Sequence, residues 1–471
     1  MPMILRMLPG TLALLLTAQN ISVSDPATSW ITTVPEPPIP NIAAGQSYTS
    51  WFGHKVTRVT DSRTGDGGSS WMHYYSDRSP FNKDSTFLVM YNQAGAIWVQ
   101  PIDRAIPKGR AFLLTDVGRG PRHLGLSMWS PIDKDLLYVI GDFTKLWTLN
   151  ATTKSWKMIR DFSKDLTGLP KDGYLKIQFV SQDGNRMIFD YNIMAKEAHA
   201  ILAYDVPKNA VRAYKGRNLA KRSPEPNASF KLAGAGGADK EGDWISVQEN
   251  GTPTSNGSSP DPLENANTLT FLVPWAENLL GSGYAIAGRV ATGHGASMSH
   301  GHVRVTSSET GRYVGGVDWL NALRLISTQA APNPADQGRI PYEDLFYWPG
   351  SYGMTGVHLS ASGPSDWLAL SLYQESSCDK RLIKPLANEI LMVSSQGRAV
   401  HDQTKHSITS NGVFRRIAHH YSYPEDCGQK NPYWGQPRAA ISMDGKYVVY
   451  TSSFGRTGRL DVFAITLPTL P

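Results

Sequence analysis

Short apolar runs bounded by turn residues recur along the whole chain. Phe87-Leu88-Val89-Met90-Tyr91, Ala96-Ile97-Trp98-Val99, Leu136–Ile140, Lys145–Leu149, Met187–Tyr191 and Ala200–Tyr204 are rich in β-branched and aromatic residues. Gly, Asp, Asn or Pro flank them, the pattern of short paired strands. No long stretch carries helical periodicity. A serine- or glycine-centred turn leads into many of these runs. The clearest is Ser442-Met443-Asp444-Gly445 before Lys446–Tyr450, and Ser181-Gln182-Asp183-Gly184, Ser130-Pro131-Ile132-Asp133 and Ser79-Pro80-Phe81-Asn82 match it. Ser79 to Ser130 and Ser130 to Ser181 are each 51 residues. Weaker copies lie at Ala238–Trp244, Ser307–Gly311 and Ser360–Gly363, giving seven in all. Blades of roughly 50–60 residues at this period nearly fill the 471-residue chain. The expected fold is all-β: a single seven-bladed β-propeller of four-stranded antiparallel blades.

The ends divide the chain further. Arg6 precedes the apolar run Met7–Ala18, too short to span a bilayer and closed by a small residue. Residues 1–18 read as a signal peptide, so a secreted or periplasmic protein is expected, with no membrane span once the signal is removed. Residues 19–50, with Val34-Pro35-Glu36-Pro37-Pro38-Ile39-Pro40, read as a Pro-rich linker and lead-in, and 51–471 as the propeller domain. Asn-x-Ser/Thr sequons at Asn20, Asn150, Asn227, Asn250 and Asn256 are consistent with a glycoprotein. Cys378 and Cys427 lie in loop-like segments and are either bridged or two separate thiols. No close cysteine pairing suggests a metal. Net charge of +6 suits an acidic carbohydrate partner. No Lys/Arg run or reader motif points to nucleic acid. A monomer is expected.

Candidate chemistry follows from position within the repeat. A polar or basic residue sits just upstream of most of the repeated turns: His73, His123, Lys176 with Gln178, His300 and His302 with Arg304, His358, and Gln436 with Arg438. In a propeller this phase is the innermost strand and its entrance, so these groups are expected to ring one central opening. His73, His123, Lys176, Arg304 and Arg416 are the expected substrate-binding residues. His300 and His302 alternate on a strand and so share a face, able to bind a metal or position a carboxylate. The alternative is that such histidines satisfy buried backbone groups.

The C-terminal segment carries a resemblance. Arg415-Arg416-Ile417-Ala418-His419-His420-Tyr421-Ser422 leads to Tyr433-Trp434-Gly435-Gln436-Pro437-Arg438-Ala439-Ala440-Ile441-Ser442-Met443-Asp444-Gly445. This resembles the final blades of the oligogalacturonate lyase family, seven-bladed propellers that cleave pectic fragments by β-elimination. The resemblance implies one divalent, manganese-like cation, held here by His358 and Gln436 with His420 as a third candidate. The pattern departs after Gln436, where Arg438 and Ala439 stand in place of histidines. β-Elimination needs the uronate carboxylate neutralised, its α proton removed and the leaving oxygen protonated. Arg438 is the candidate neutraliser, His302 or His300 the base, and Tyr421 or Tyr433 the acid. The other reading is a non-catalytic propeller that binds a glycan or protein partner through the same face. No Gly-x-Ser-x-Gly elbow is present. Asp61, Asp66, Asp77 and Asp366 form no paired-carboxylate motif for glycoside hydrolysis.

Overall fold

The computed structural model describes residues 25–468 except 26, 35, 63–69, 194–197, 215–228, 239–241, 243, 253–267, 276–288, 292–303, 309–310, 318–321, 328–341, 348–355, 364–366, 374–384, 403–406, 423–431 and 455–458. The expected signal segment 1–18, His300, His302, Asp66, Asp366, Cys378, Cys427, Asn20, Asn227 and Asn256 lie outside these residues.

Among the described residues there is no α-helix, and strands pair antiparallel into sheets of four or five, plus one two-stranded hairpin. One edge of each sheet is Trp71–Met72, Leu124–Trp129, Gly173–Val180, Ser229–Ala238, Arg304–Ser308, Gly356–Ser360 or Ala440–Ile441. These edge strands meet their counterparts in the next sheet: Leu124–Trp129 touches Gly173–Val180, which touches Ser229–Ala238, which touches Arg304–Ser308. Gly356–Ser360 likewise touches Ala440–Ile441. The edge strands therefore face a common axis. Apolar faces of adjacent sheets pack between them; Leu146, Phe162, Leu175 and Phe189 form one such layer.

The repeated turns explain themselves locally. Ser442 Oγ accepts from Tyr447 N at 2.9 Å and donates to Asp444 Oδ1 at 2.8 Å. Ser181 Oγ accepts from Arg186 N at 2.9 Å and donates to Asp183. The glycines that follow, Gly445 (φ 70°) and Gly184 (φ 73°), take the left-handed conformation that other residues adopt at a cost. Serine, aspartate and glycine thus satisfy the turn before any tertiary contact forms.

The two chain ends share a sheet. Its order places Ala440–Ile441 innermost, then Tyr447–Ser452, Asp461–Thr466, Lys55–Arg58 and Ser47–Thr49. Val56 pairs with Ile465 and Arg58 with Phe463. A buried polar knot fastens this junction. Asp461 accepts from Arg58 Nη2 at 2.5 Å, Thr60 Oγ1 at 2.9 Å and Ser62 N at 2.7 Å.

The segment expected to be a linker is instead bound to the sheets. Ser47–Thr49 is a strand, Trp30 packs on one core layer, and Ile39 and Ile42 pack on another. Arg416 donates its backbone N–H to Ala27 O at 2.7 Å and its Nη1 to Thr32 O at 2.6 Å. The lead-in is therefore a strap across the last two sheets, because its apolar residues find core and its carbonyls find a buried guanidinium.

Candidate functional site

Where the innermost strands of the last two sheets meet the first, several polar and aromatic groups converge. His358 lies mid-strand, paired with Ser371, and Tyr373 pairs with Gly356. On an antiparallel pair, residues two apart share a face, so Tyr373 lies diagonally across from His358. Their rings stack at 5.3 Å, and Tyr373 Oη sits 3.1 Å from His358 Nε2. Gln436 Oε1 lies 2.9 Å from the same nitrogen. An amide oxygen only accepts, so Nε2 carries the proton in that bond.

Gln436 opens the loop into Ala440–Ile441, and Arg438 follows with φ 48°, in the left-handed region. Such a backbone in a non-glycine residue persists only where neighbours enforce it. Two sheets do so here. His73, just past Trp71–Met72, donates Nε2–H to Arg438 O at 2.6 Å and accepts at Nδ1 from Thr451 Oγ1 at 2.9 Å. From the other side, Ser371 Oγ accepts from Ala439 N at 3.2 Å. The Arg438 guanidinium then lies 5.1 Å from the Tyr75 ring centre and 4.8 Å from that of Trp434. Tyr75 also meets the His358 ring edge-on at 5.1 Å. Arg438 and His358 are each 1% exposed; Tyr75, Trp434 and Gln436 in front of them are half-buried. Burial, opposed by the Arg438 carbonyl and reinforced by its guanidinium, holds the His73 pKa down at about 4. His73 is thus a neutral clamp on the Arg438 backbone.

A second group fills the channel. Arg78 Nη1, from the sheet of Trp71–Met72, donates to Ile177 O at 3.0 Å, two sheets away. Its guanidinium lies 4.9 Å from the Tyr74 ring centre and pairs with Asp77 at 2.9 Å. Gln178 Nε2 bonds Asp190 at 2.5 Å beside it. A side chain that reaches past a whole sheet lies across the central opening at this level.

The expected ring is therefore partly assembled. His73, His358, Gln436 and Arg438 come together. Lys176 is partly buried on the strand next to Arg78's contact, its Nζ 5.7 Å from the Tyr174 ring centre. Arg304 begins an innermost strand, and Tyr433 lies in the turn Pro432–Gly435. His123 departs: it is exposed and lies against Phe143 at 5.0 Å.

Three further expectations meet a structural explanation instead. Arg416 is fully buried, its Nε and Nη2 on Glu389 and its Nη1 on the strap carbonyls, so no hydrogen-bonding edge faces a substrate. His420 Nδ1 accepts from Ser422 N at 3.0 Å while Nε2 donates to Leu372 O at 3.0 Å, leaving no lone pair for a metal. Burial, chiefly, drives its pKa down to about 3. Tyr421 packs edge-on to Tyr48 and Phe454 in the core, where burial pushes its hydroxyl far above the ordinary range, so it is no proton donor to a channel substrate. Conversely, Tyr75, Tyr373 and Trp434 were not singled out as site residues. Two signals were present: Tyr74-Tyr75 directly follows His73, and Trp434 stands two residues before Gln436.

The donor set decides whether a divalent cation fits. The described residues at the site offer one imidazole, His358, and one amide, Gln436, with a guanidinium where further imidazoles would be needed. Among the described residues no group of three or more His, Cys, Asp or Glu comes together. A divalent ion in such a site needs more donors than these two, and an adjacent guanidinium disfavours it electrostatically. The described residues do not fit one.

No protein-family model and no curated protein matches the chain. Solved structures do. An oligogalacturonate lyase from Vibrio parahaemolyticus matches with TM-score 0.52 and 10% identity, over 92% of this chain and 99% of that one. An oligogalacturonate lyase in complex with manganese matches with TM-score 0.49 and 13% identity, over 91% of this chain and 99% of that one. The β-propeller domain of Cps50 (Swd1) from Myceliophteria thermophila matches at TM-score 0.41 and 11% identity, over 84% of this chain and 97% of that one. The chain is a β-propeller. Its likeness to oligogalacturonate lyases extends beyond the C-terminal segment to most of its length, as a likeness of fold.

Proposed function

We propose that the sheets form seven blades of one ring, and that the central site binds uronate-containing oligosaccharide and cleaves it by β-elimination. The observation that carries this reading is the Arg438 guanidinium, held behind two half-buried aromatic rings and beside the His358–Gln436–Tyr373 cluster. Sugar rings pack their C–H faces on aromatics, and Tyr75 and Trp434 offer such faces. A guanidinium matches a carboxylate with two parallel hydrogen bonds. With the carboxylate neutralised, a base removes the proton on the adjacent carbon, the electron pair forms a C=C bond, and the glycosidic C–O bond on the next carbon breaks. The departing oxygen takes a proton. Tyr433 remains a proposed donor; Tyr373, tied to His358 Nε2, is 1% exposed and would act only through that cluster. His300 and His302 remain the proposed bases. Arg438 takes the charge-neutralising role, so no step needs a metal. Export through residues 1–18 is part of the proposal.

The test is incubation with oligogalacturonate and other uronate oligomers, read as absorbance of the unsaturated product, with and without chelator. Activity that survives chelation and disappears in Arg438→Ala, with the circular dichroism spectrum unchanged, supports the proposal. A specific observation favours a second reading. Arg438 and His358 are both 1% exposed, so the half-buried rings in front of them can bind a glycan without chemistry. Saturable binding of these oligomers with no unsaturated product selects that reading.

A further inference from the structure

A second cluster lies on the opposite, outer edge of the last two sheets. The hairpin between Ser47–Thr49 and Lys55–Arg58 turns at Ser50-Trp51-Phe52-Gly53-His54. Its tip is rigidly built. Ser50 Oγ donates to Ile417 O at 2.7 Å and accepts from His54 N at 3.1 Å, while Ser50 N donates to His54 O at 2.7 Å. Phe52 is anchored inward, stacked on His419 at 5.5 Å and lying 5.0 Å from the Arg416 guanidinium. The result is that Trp51 is held in solvent at 58% exposure. Single exposed apolar residues are ordinary, but here the same hairpin tip, through Phe52, Gly53, His54 and Lys55, also lines a charged cavity.

That cavity, of about 420 Å³, lies between the hairpin and the outermost strand of the neighbouring sheet, Phe414–His419. Lys55 and Arg415, both exposed, and half-buried His54 line it, with Asp25 as the only carboxylate among the lining residues. Three strand spacings separate it from Gly356–Ser360, about 14 Å from the central site. We infer that this rim is a second, non-catalytic binding site for an acidic polysaccharide chain, with Trp51 stacking on a sugar ring and Lys55 and Arg415 meeting its carboxylates. The ligand class is shared with the central reading, but the rim stands on its own residues and would hold polymer whether or not the central site performs chemistry. The cations supply the choice of acidic over neutral chain, and the indole supplies the choice of sugar over a simple anion.

Polygalacturonate is the probe, with neutral galactan and inorganic phosphate as controls, measured by calorimetry and by retardation in polymer-containing native gels. Trp51→Ala and the double change Lys55→Glu/Arg415→Glu are expected to weaken polymer binding by about tenfold or more, as loss of a central aromatic or charged contact does. Arg438→Ala should retain the rim-dependent binding, and added salt should weaken it. All three rim residues are exposed, so the variants keep the fold, checked by circular dichroism. Wild-type affinity in both rim variants, equal binding of galactan, or competition by phosphate alone would each overturn the inference. Loss of elimination activity in Arg438→Ala reports on the central site alone.

Discussion

Acidification should destabilise this protein steeply between about pH 6.5 and pH 5, because buried histidines are neutral in the fold. Burial above all holds His73 and His419 down at about 4 and His420 at about 3. In the unfolded chain each titrates near the ordinary 6.5. Between those values the unfolded chain binds more protons, so stability is complete above the unfolded value and is lost as the pH falls. Glu389 works the other way. Burial raises it from 4.5 to about 7 despite Arg416, so over that span the folded chain keeps a proton the unfolded chain releases. Three histidine protons against one from Glu389 leave two, and at ~1.4 kcal/mol per proton per pH unit the slope is about 2.7 kcal/mol per pH unit. Asp461, also raised by burial, opposes as well, while His54, lowered chiefly by burial, adds to the slope. Across pH 6.5 to 5 that amounts to about 4 kcal/mol, most of the stability of a protein at the low end of the usual range of about 5–15 kcal/mol. Urea midpoints read by tryptophan fluorescence across this range measure the slope. His73→Gln, which removes one titrating group, should flatten it by about 1.4 kcal/mol per pH unit. A midpoint that is constant or rises on acidification would refute the reasoning.

Other consequences follow from the same contacts. Asp461→Ala strips the buried Arg58 of its closest partner and should cost about 3–5 kcal/mol, read by denaturant titration; a change below about 1 kcal/mol would show that the closure does not depend on the knot. Arg438→Lys keeps the charge but loses the planar contact with Tyr75 and Trp434, so oligogalacturonate binding by calorimetry should weaken severalfold with the melting temperature little changed. Gly173→Ala would place a Cβ against the Tyr191 ring, whose hydroxyl is tied to Pro170 O and Gly173 N, and should cost about 1–3 kcal/mol by thermal melting.

What was legible in the sequence divides along the range of the interactions. The Ser-x-Asp-Gly turns were readable because their serine, aspartate and glycine bond to one another within a few residues, so the local sequence contains the whole cause. The closure was not, since Arg58 and Asp461 stand 403 positions apart and neither has a local signature. For the same reason the strap looked like a linker: its prolines were visible, but the guanidinium that collects its carbonyls belongs to Arg416 near the other end.

The site shows the limit most sharply. His73, His358 and His420 are one residue type buried in the same ring, and the sequence cannot rank them. What separates them is which groups meet the two ring nitrogens. His420 meets a backbone N–H and a carbonyl, and His73 meets a carbonyl and a threonine, so both are spent on holding the chain. His358 alone of the three meets only side chains, Gln436 and Tyr373, in its described Nε2 contacts. Side-chain partners can move with a ligand, whereas backbone partners cannot without dismantling a strand. That difference assigns His358 to the candidate site and leaves His73 as the clamp that makes the strained Arg438 backbone affordable. It also sets an order of effects. Replacing His73 should lower stability and ligand binding together, whereas replacing His358 by Gln should change binding or turnover with the denaturant midpoint nearly constant. A His358→Gln protein that melts early but binds oligogalacturonate normally would reverse the assignment.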